Sequence, residues 1–87
     1  MAMKWVSAAA DNPGYSVWHS TPERDPNVQY IIRQKRKTRD FTPVGWIVYV
    51  RSSKTEPLRT IYGPAATLKE AKEFVEDWEK IHGQQED

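Results

Sequence analysis

The feature that most constrains the fold is an amphipathic helix predicted over residues 67–83. Thr67 and Glu70 have the spacing of a capping box, in which the Thr67 hydroxyl accepts from the Glu70 amide and the Glu70 carboxylate reaches back to the Thr67 amide. Apolar side chains fall within an arc of roughly 140°, and the rest of the helix is mostly charged. The members of this stripe are Leu68, Ala71, Phe74, Val75, Trp78 and Ile81. The helix therefore needs an apolar surface to cover.

Alternating side chains predict that surface as three antiparallel strands over residues 28–35, 46–51 and 58–62, with Gly63 and Pro64 ending the third. One face should be apolar and receive the helix. It comprises Val28, Tyr30, Ile32, Trp46, Val48, Val50, Leu58 and Tyr62. The opposite face should be basic, with one aromatic residue and three isoleucines. It comprises Gln29, Ile31, Arg33, Lys35, Ile47, Tyr49, Arg51, Arg59 and Ile61.

These patterns predict a single α+β domain over residues 1–87, with a small antiparallel sheet of three to five strands packed on one C-terminal helix. Residues 1–27 form an N-terminal segment with possible short strands. Residues 84–87 follow the helix and are expected to fray.

Composition excludes several classes of function. The 87 residues contain no cysteine, which excludes disulfides and thiol nucleophiles, and no apolar run is long enough to cross a membrane. The two histidines, His19 and His82, stand in no metal-ligand or triad spacing, and no glycine-rich phosphate loop is present. We therefore expect a non-enzymatic cytoplasmic protein with no catalytic residues, metal site or cofactor.

The charge is unevenly distributed around a net +1. Residues 28–60 carry eight Lys or Arg against two acids, a net +6, whereas residues 61–87 carry three Lys against seven acids, a net −4. Cations beside an aromatic side chain suit phosphate and base contacts, which predicts a nucleic-acid-binding module. The candidate residues are Arg33, Lys35, Arg36, Lys37, Arg39, Tyr49, Arg51 and Arg59. The alternative is a solvated hairpin end whose charges keep a strand edge soluble.

A second hypothesis uses the isoleucines. Ile31, Ile47 and Ile61 would make a poor exposed surface in the middle of a sheet. Either the N-terminal segment covers them, or they form a protein interface with a second copy of the chain or with a host protein. The first hypothesis predicts steep salt dependence of binding and the second does not.

Three strands followed by one helix that opens with TLKEAK over residues 67–72 resemble the N-terminal arm-binding domain of phage and transposon integrases. The resemblance covers roughly residues 28–82. It implies a sheet that lies in the major groove of DNA, with Arg33, Lys35, Tyr49, Arg51 and Arg59 facing the duplex. The 27 residues before the sheet depart from that pattern, as does the absence of a following recombinase domain, so an accessory role is expected. The chain also looks like a small phage accessory protein that acts in the host cytoplasm.

Overall fold

The computed structural model describes residues 3–8, 14–23 and 25–83, apart from the side chains of residues 82 and 83. The predicted frayed tail, residues 84–87, lies outside this part. The described chain forms five strands and a helix, which confirms the predicted α+β class. The elements are β1 (Val6–Ser7), β2 (Tyr15–Ser20), β3 (Gln29–Lys35), β4 (Trp46–Arg51), β5 (Arg59–Ala65) and α1 (Leu68–Gly83). The sheet order is β1-β2-β3-β4-β5, and every neighbouring pair is antiparallel.

The core lies between one face of the sheet and α1. Ile32 and Val48 face each other across β3 and β4, and both are fully buried together with Val75 of the helix. Aromatic rings extend this contact, since Tyr62 stacks on Phe74 with centroids 4.2 Å apart and Phe74 lies 5.7 Å from Trp78. The predicted apolar helix stripe therefore packs on the apolar sheet face from Leu68 to Trp78, but its last predicted member, Ile81, is exposed.

Polar contacts fix the helix on the sheet. The Glu70 amide donates to the Thr67 hydroxyl at 3.1 Å, as the capping box predicts. The Glu70 carboxylate accepts from the Ala66 amide at 3.1 Å and from the Tyr62 hydroxyl at 3.2 Å, and not from the predicted Thr67 amide. Nearer the C-terminal end of the helix, the Tyr30 hydroxyl donates to the Glu79 carboxylate at 2.5 Å.

The last strand differs from the prediction because its pairing is irregular. It continues through Gly63 and Pro64 to Ala65, and its register with β4 shifts twice between Trp46 and Tyr49. A shift of one residue moves the following side chains to the opposite face. Strict alternation from residue 58 to residue 62 was therefore the wrong pattern for this strand.

The N-terminal segment lengthens the sheet instead of covering it. β2 pairs with β3 along its whole length, and β1 adds a short edge strand. Trp5 and Trp18 pack against the core on the helix side, where Lys72 Nζ lies 4.7 Å from the Trp18 ring centroid. Of the two alternatives for the isoleucines, cover by this segment is therefore not what its described residues provide, because they extend the sheet.

Candidate nucleic-acid interface

The sheet face opposite α1, called here the open face, has no helix or strand over it in the described part of the chain. The register of the strands defines which side chains share it. Its members on β2, β3 and β4 are Tyr15, Val17, His19, Gln29, Ile31, Arg33, Lys35, Ile47, Tyr49 and Arg51. None of these ten is acidic, so the open face carries only positive formal charge.

Arg33 lies at the centre of the open face between two tyrosine rings. Its guanidinium carbon is 5.0 Å from the Tyr15 centroid and 4.8 Å from the Tyr49 centroid. The same group donates to the Tyr49 hydroxyl at 3.1 Å. Stacking and one hydrogen bond therefore hold the guanidinium in place while most of its five N–H donors remain for a ligand.

Arg51 is held in a similar way at the other end of the open face. Its Nε donates to the Gln29 side-chain oxygen at 2.8 Å, directly across the strand pair, and one terminal nitrogen donates to the Lys54 carbonyl at 3.4 Å. These two hydrogen bonds orient the guanidinium. Because both acceptors are neutral, they do not compensate its positive charge.

A groove of about 250 Å³ lies on the open face between these two arginines. Its larger apolar lining residues, called here the floor, are Val17, Ile31 and Leu58, and its charged lining residues, called the walls, are Arg33 and Arg51. Ala8, His19 and Gln29 complete the lining. An apolar floor with cationic walls suits a ligand that has both an apolar surface and negative charge.

Beyond Arg33 the positive charge continues into a tight turn. Lys35 Nζ lies 4.7 Å from the Phe41 ring centroid, and the Thr38 amide donates to the Phe41 carbonyl at 2.8 Å. Arg36, Lys37 and Arg39 are exposed here and are called the cationic turn. Among the described residues no ion pair joins these cations to a carboxylate.

The predicted site residues fall into two groups in the structure. The open face brings together Arg33, Lys35, Tyr49 and Arg51, with the cationic turn at its end. Arg59 was predicted to lie on this face, but its register position is opposite buried Val50, which places it on the helix side.

The isoleucines also separate. Ile31 and Ile47 lie on the open face, whereas Ile61 packs against the buried core beside a register shift. Leu58, predicted for the helix side, lines the groove instead. Sequence reasoning missed Tyr15 and Gln29 as partners of Arg33 and Arg51. Alternation in the β2 segment does place Tyr15 beside Val17 and His19, but the strand order was needed to join them to the basic face.

Other kinds of site are not found in the described ranges. No group of three or more His, Asp or Glu side chains there is arranged to hold a metal ion. Of the helical structure described, no segment has the length and apolarity required to cross a membrane.

Comparison of the chain with protein-family models, curated proteins and solved structures found no match.

Proposed function

We propose that this protein is a non-enzymatic nucleic-acid-binding module and that the open face with the cationic turn is its binding surface. The observation that carries this proposal is the Tyr15–Arg33–Tyr49 stack beside cations that no described carboxylate neutralises. Fixed, unpaired positive charge binds phosphates, and nearby aromatic groups and guanidinium planes favour sugars and bases.

The distribution of charge supports the same surface. Acidic side chains concentrate on the outer side of α1, where Glu73 forms an exposed ion pair with Lys69 at 3.9 Å. Since the helix and the open face lie on opposite sides of the sheet, the molecule has a cationic side and an anionic side. A polyanion would be steered to the open face and repelled by the helix.

The test is fluorescence anisotropy of a labelled oligonucleotide of about 20 nucleotides, repeated between about 50 and 200 mM salt. The double variant Arg36→Gln/Lys37→Gln should weaken binding and reduce the magnitude of the salt slope by roughly 0.7–0.9 for each phosphate that is no longer neutralised. The matched control, Lys69→Gln/Lys80→Gln, removes the same charge from the helix. It should leave the slope unchanged.

Two results would count against the proposal. One is binding that is absent at low salt, and the other is an equal effect of the two double variants. The second result would mean that net charge alone, and not the position of the cationic turn, governs association.

A second candidate is a protein interface on the same surface, which Ile31 and Ile47 favour because both lie on the open face outside the buried core. A homodimer through these residues should be seen by light scattering and should dissociate in Ile47→Glu. Its association should depend only weakly on salt, which distinguishes it from nucleic-acid binding.

A further inference from the structure

We infer that the open face takes single-stranded nucleic acid in preference to duplex, with an unstacked base in the groove between Arg33 and Arg51. This inference rests on the proposed function and specifies its ligand. Three observations carry it, namely the breadth of the sheet, the shape and chemistry of the groove, and the way in which the two guanidinium groups are held.

The sheet is too broad to lie flat in a duplex groove. Five strands spaced about 4.8 Å apart place the outer strand axes roughly 19 Å apart, and the four longer strands alone span about 14 Å. The major groove of B-DNA is about 12 Å wide, and the minor groove about 6 Å. β2, which pairs along its whole length with β3, therefore obstructs the face-on docking that a three-stranded sheet achieves.

The groove matches a base more closely than it matches a phosphate. Its floor of Val17, Ile31 and Leu58 is apolar, and an apolar floor does not compensate a buried negative charge. A base presents an apolar π-face, but in a duplex that face is covered by its stacked neighbours and only base edges reach the grooves. In a single strand the base can be splayed out to contact a protein surface.

The two arginines are placed for backbone phosphates of a strand that carries such a base. Arg33 lies opposite Ile47 and Arg51 lies opposite Gln29, so their strand positions differ by roughly 14 Å along the sheet. Each guanidinium is oriented by neutral partners and retains donors that those partners do not use. The backbone of a single strand that crosses the groove would meet one guanidinium on either side.

The experiment compares three fluorescein-labelled probes at low salt with the full chain. They are oligothymidine of about 20 nucleotides, the same strand annealed to oligoadenine, and an abasic deoxyribose-phosphate strand of equal length. Oligothymidine should bind at least about tenfold more tightly than the duplex. It should also bind roughly tenfold more tightly than the abasic strand, because base contacts of this kind contribute strongly to affinity.

A variant pair locates the base. Leu58→Gln keeps the charge but makes the groove floor polar, and it should reduce the preference for oligothymidine over the abasic strand by about threefold or more without changing the salt slope. Ile81→Gln makes the same kind of change on the helix, where Ile81 is 59% exposed, and should have no effect. Circular dichroism and thermal unfolding are used to check that both variants fold.

The outcomes separate the inference from the proposed function. Duplex bound as tightly as the single strand would overturn the inference and leave nucleic-acid binding intact. Equal binding of the abasic strand would overturn the placement of a base in the groove. No binding of any probe would overturn the proposed function, and the inference with it.

Discussion

Substitution of Gly63 by alanine should destabilise the fold strongly, because the backbone of β5 lies close to that of β4 there. Gly63 has a φ of 127°, which side-chain-bearing residues rarely adopt. An added Cβ would lie 2.7 Å from the Trp46 carbonyl oxygen and 3.0 Å from the Ile47 Cα. Both are backbone atoms of a paired strand, so neither can move without disturbing the ladder.

The size of the effect follows from three terms. The backbone conformation costs an alanine about 1–2 kcal/mol, and relief of the steric overlap costs about 1–3 kcal/mol. Loss of glycine freedom in the unfolded chain offsets about 0.4–1 kcal/mol. We expect Gly63→Ala to lower the free energy of unfolding by about 3 kcal/mol, a large part of the roughly 4–13 kcal/mol typical of a domain of this length.

Gly14 offers a matched control. It also has a positive φ, 83°, but a Cβ added there would meet no atom within 4 Å. Gly14→Ala should therefore cost only about 1 kcal/mol, and the difference between the two variants measures the close approach of β4 and β5.

The assay is urea unfolding followed by tryptophan fluorescence, with m-values compared so that midpoints report stability alone. If Gly63→Ala proved no more destabilising than Gly14→Ala, at equal m, the steric reasoning would be refuted. The two strands would then tolerate a methyl group at this close approach.

Three other changes test separate contacts. Tyr30→Phe removes the hydrogen bond to Glu79 and should lower the free energy of unfolding in urea by about 1.5–3 kcal/mol, and an unchanged midpoint would contradict that bond. Ser20→Ala removes a buried hydroxyl that has no hydrogen-bond partner among the described residues, so we expect the urea midpoint to stay or to rise, and a clear loss of stability would contradict this. Repulsion between the Glu70 carboxylate and the ionised form of Tyr62 raises the pKa of Tyr62 above its ordinary value. Burial of Tyr62 and its hydrogen bond to Glu70 act in the same direction. The folded state therefore binds that proton more tightly than the unfolded state, and stability should fall as the pH rises above about 10. Tyr62→Phe should lessen that fall, and ultraviolet titration should show one late-ionising tyrosine fewer.

Much of the fold could be predicted because local pattern and tertiary packing agree. The helical stripe from Leu68 to Trp78 and the alternation in β4 each specify one buried face, and both are found as expected. Ile81, the last residue predicted for the stripe, is exposed because it lies beyond the part of the helix that packs on the core. β5 could not be predicted in the same way. Its register shifts depend on contacts with β4 near Trp46 and Gly63, which are distant in sequence and leave no local pattern.

The candidate site was predictable in part for the same reason. The alternation of side chains along β3 and β4 correctly placed Arg33, Lys35, Tyr49 and Arg51 on one face of the sheet, because successive side chains of a regular strand point to opposite faces. The environment of Arg33 was not predictable, because Tyr15 reaches it only through the pairing of β2 with β3. The order of strands is a tertiary property, and alternation in one segment does not reveal it.

The order of the elements along the chain also has a consequence for synthesis. Every strand pairs with the strand made just before it, and the helix is made after all five. Pairing can thus proceed strand by strand as the chain emerges, yet Ile32, Val48 and Val50 stay exposed until α1 is complete. The nascent sheet is consequently a transient substrate for chaperones and for edge-to-edge association. A chain that stalled before Leu68 would be expected to aggregate or to be degraded.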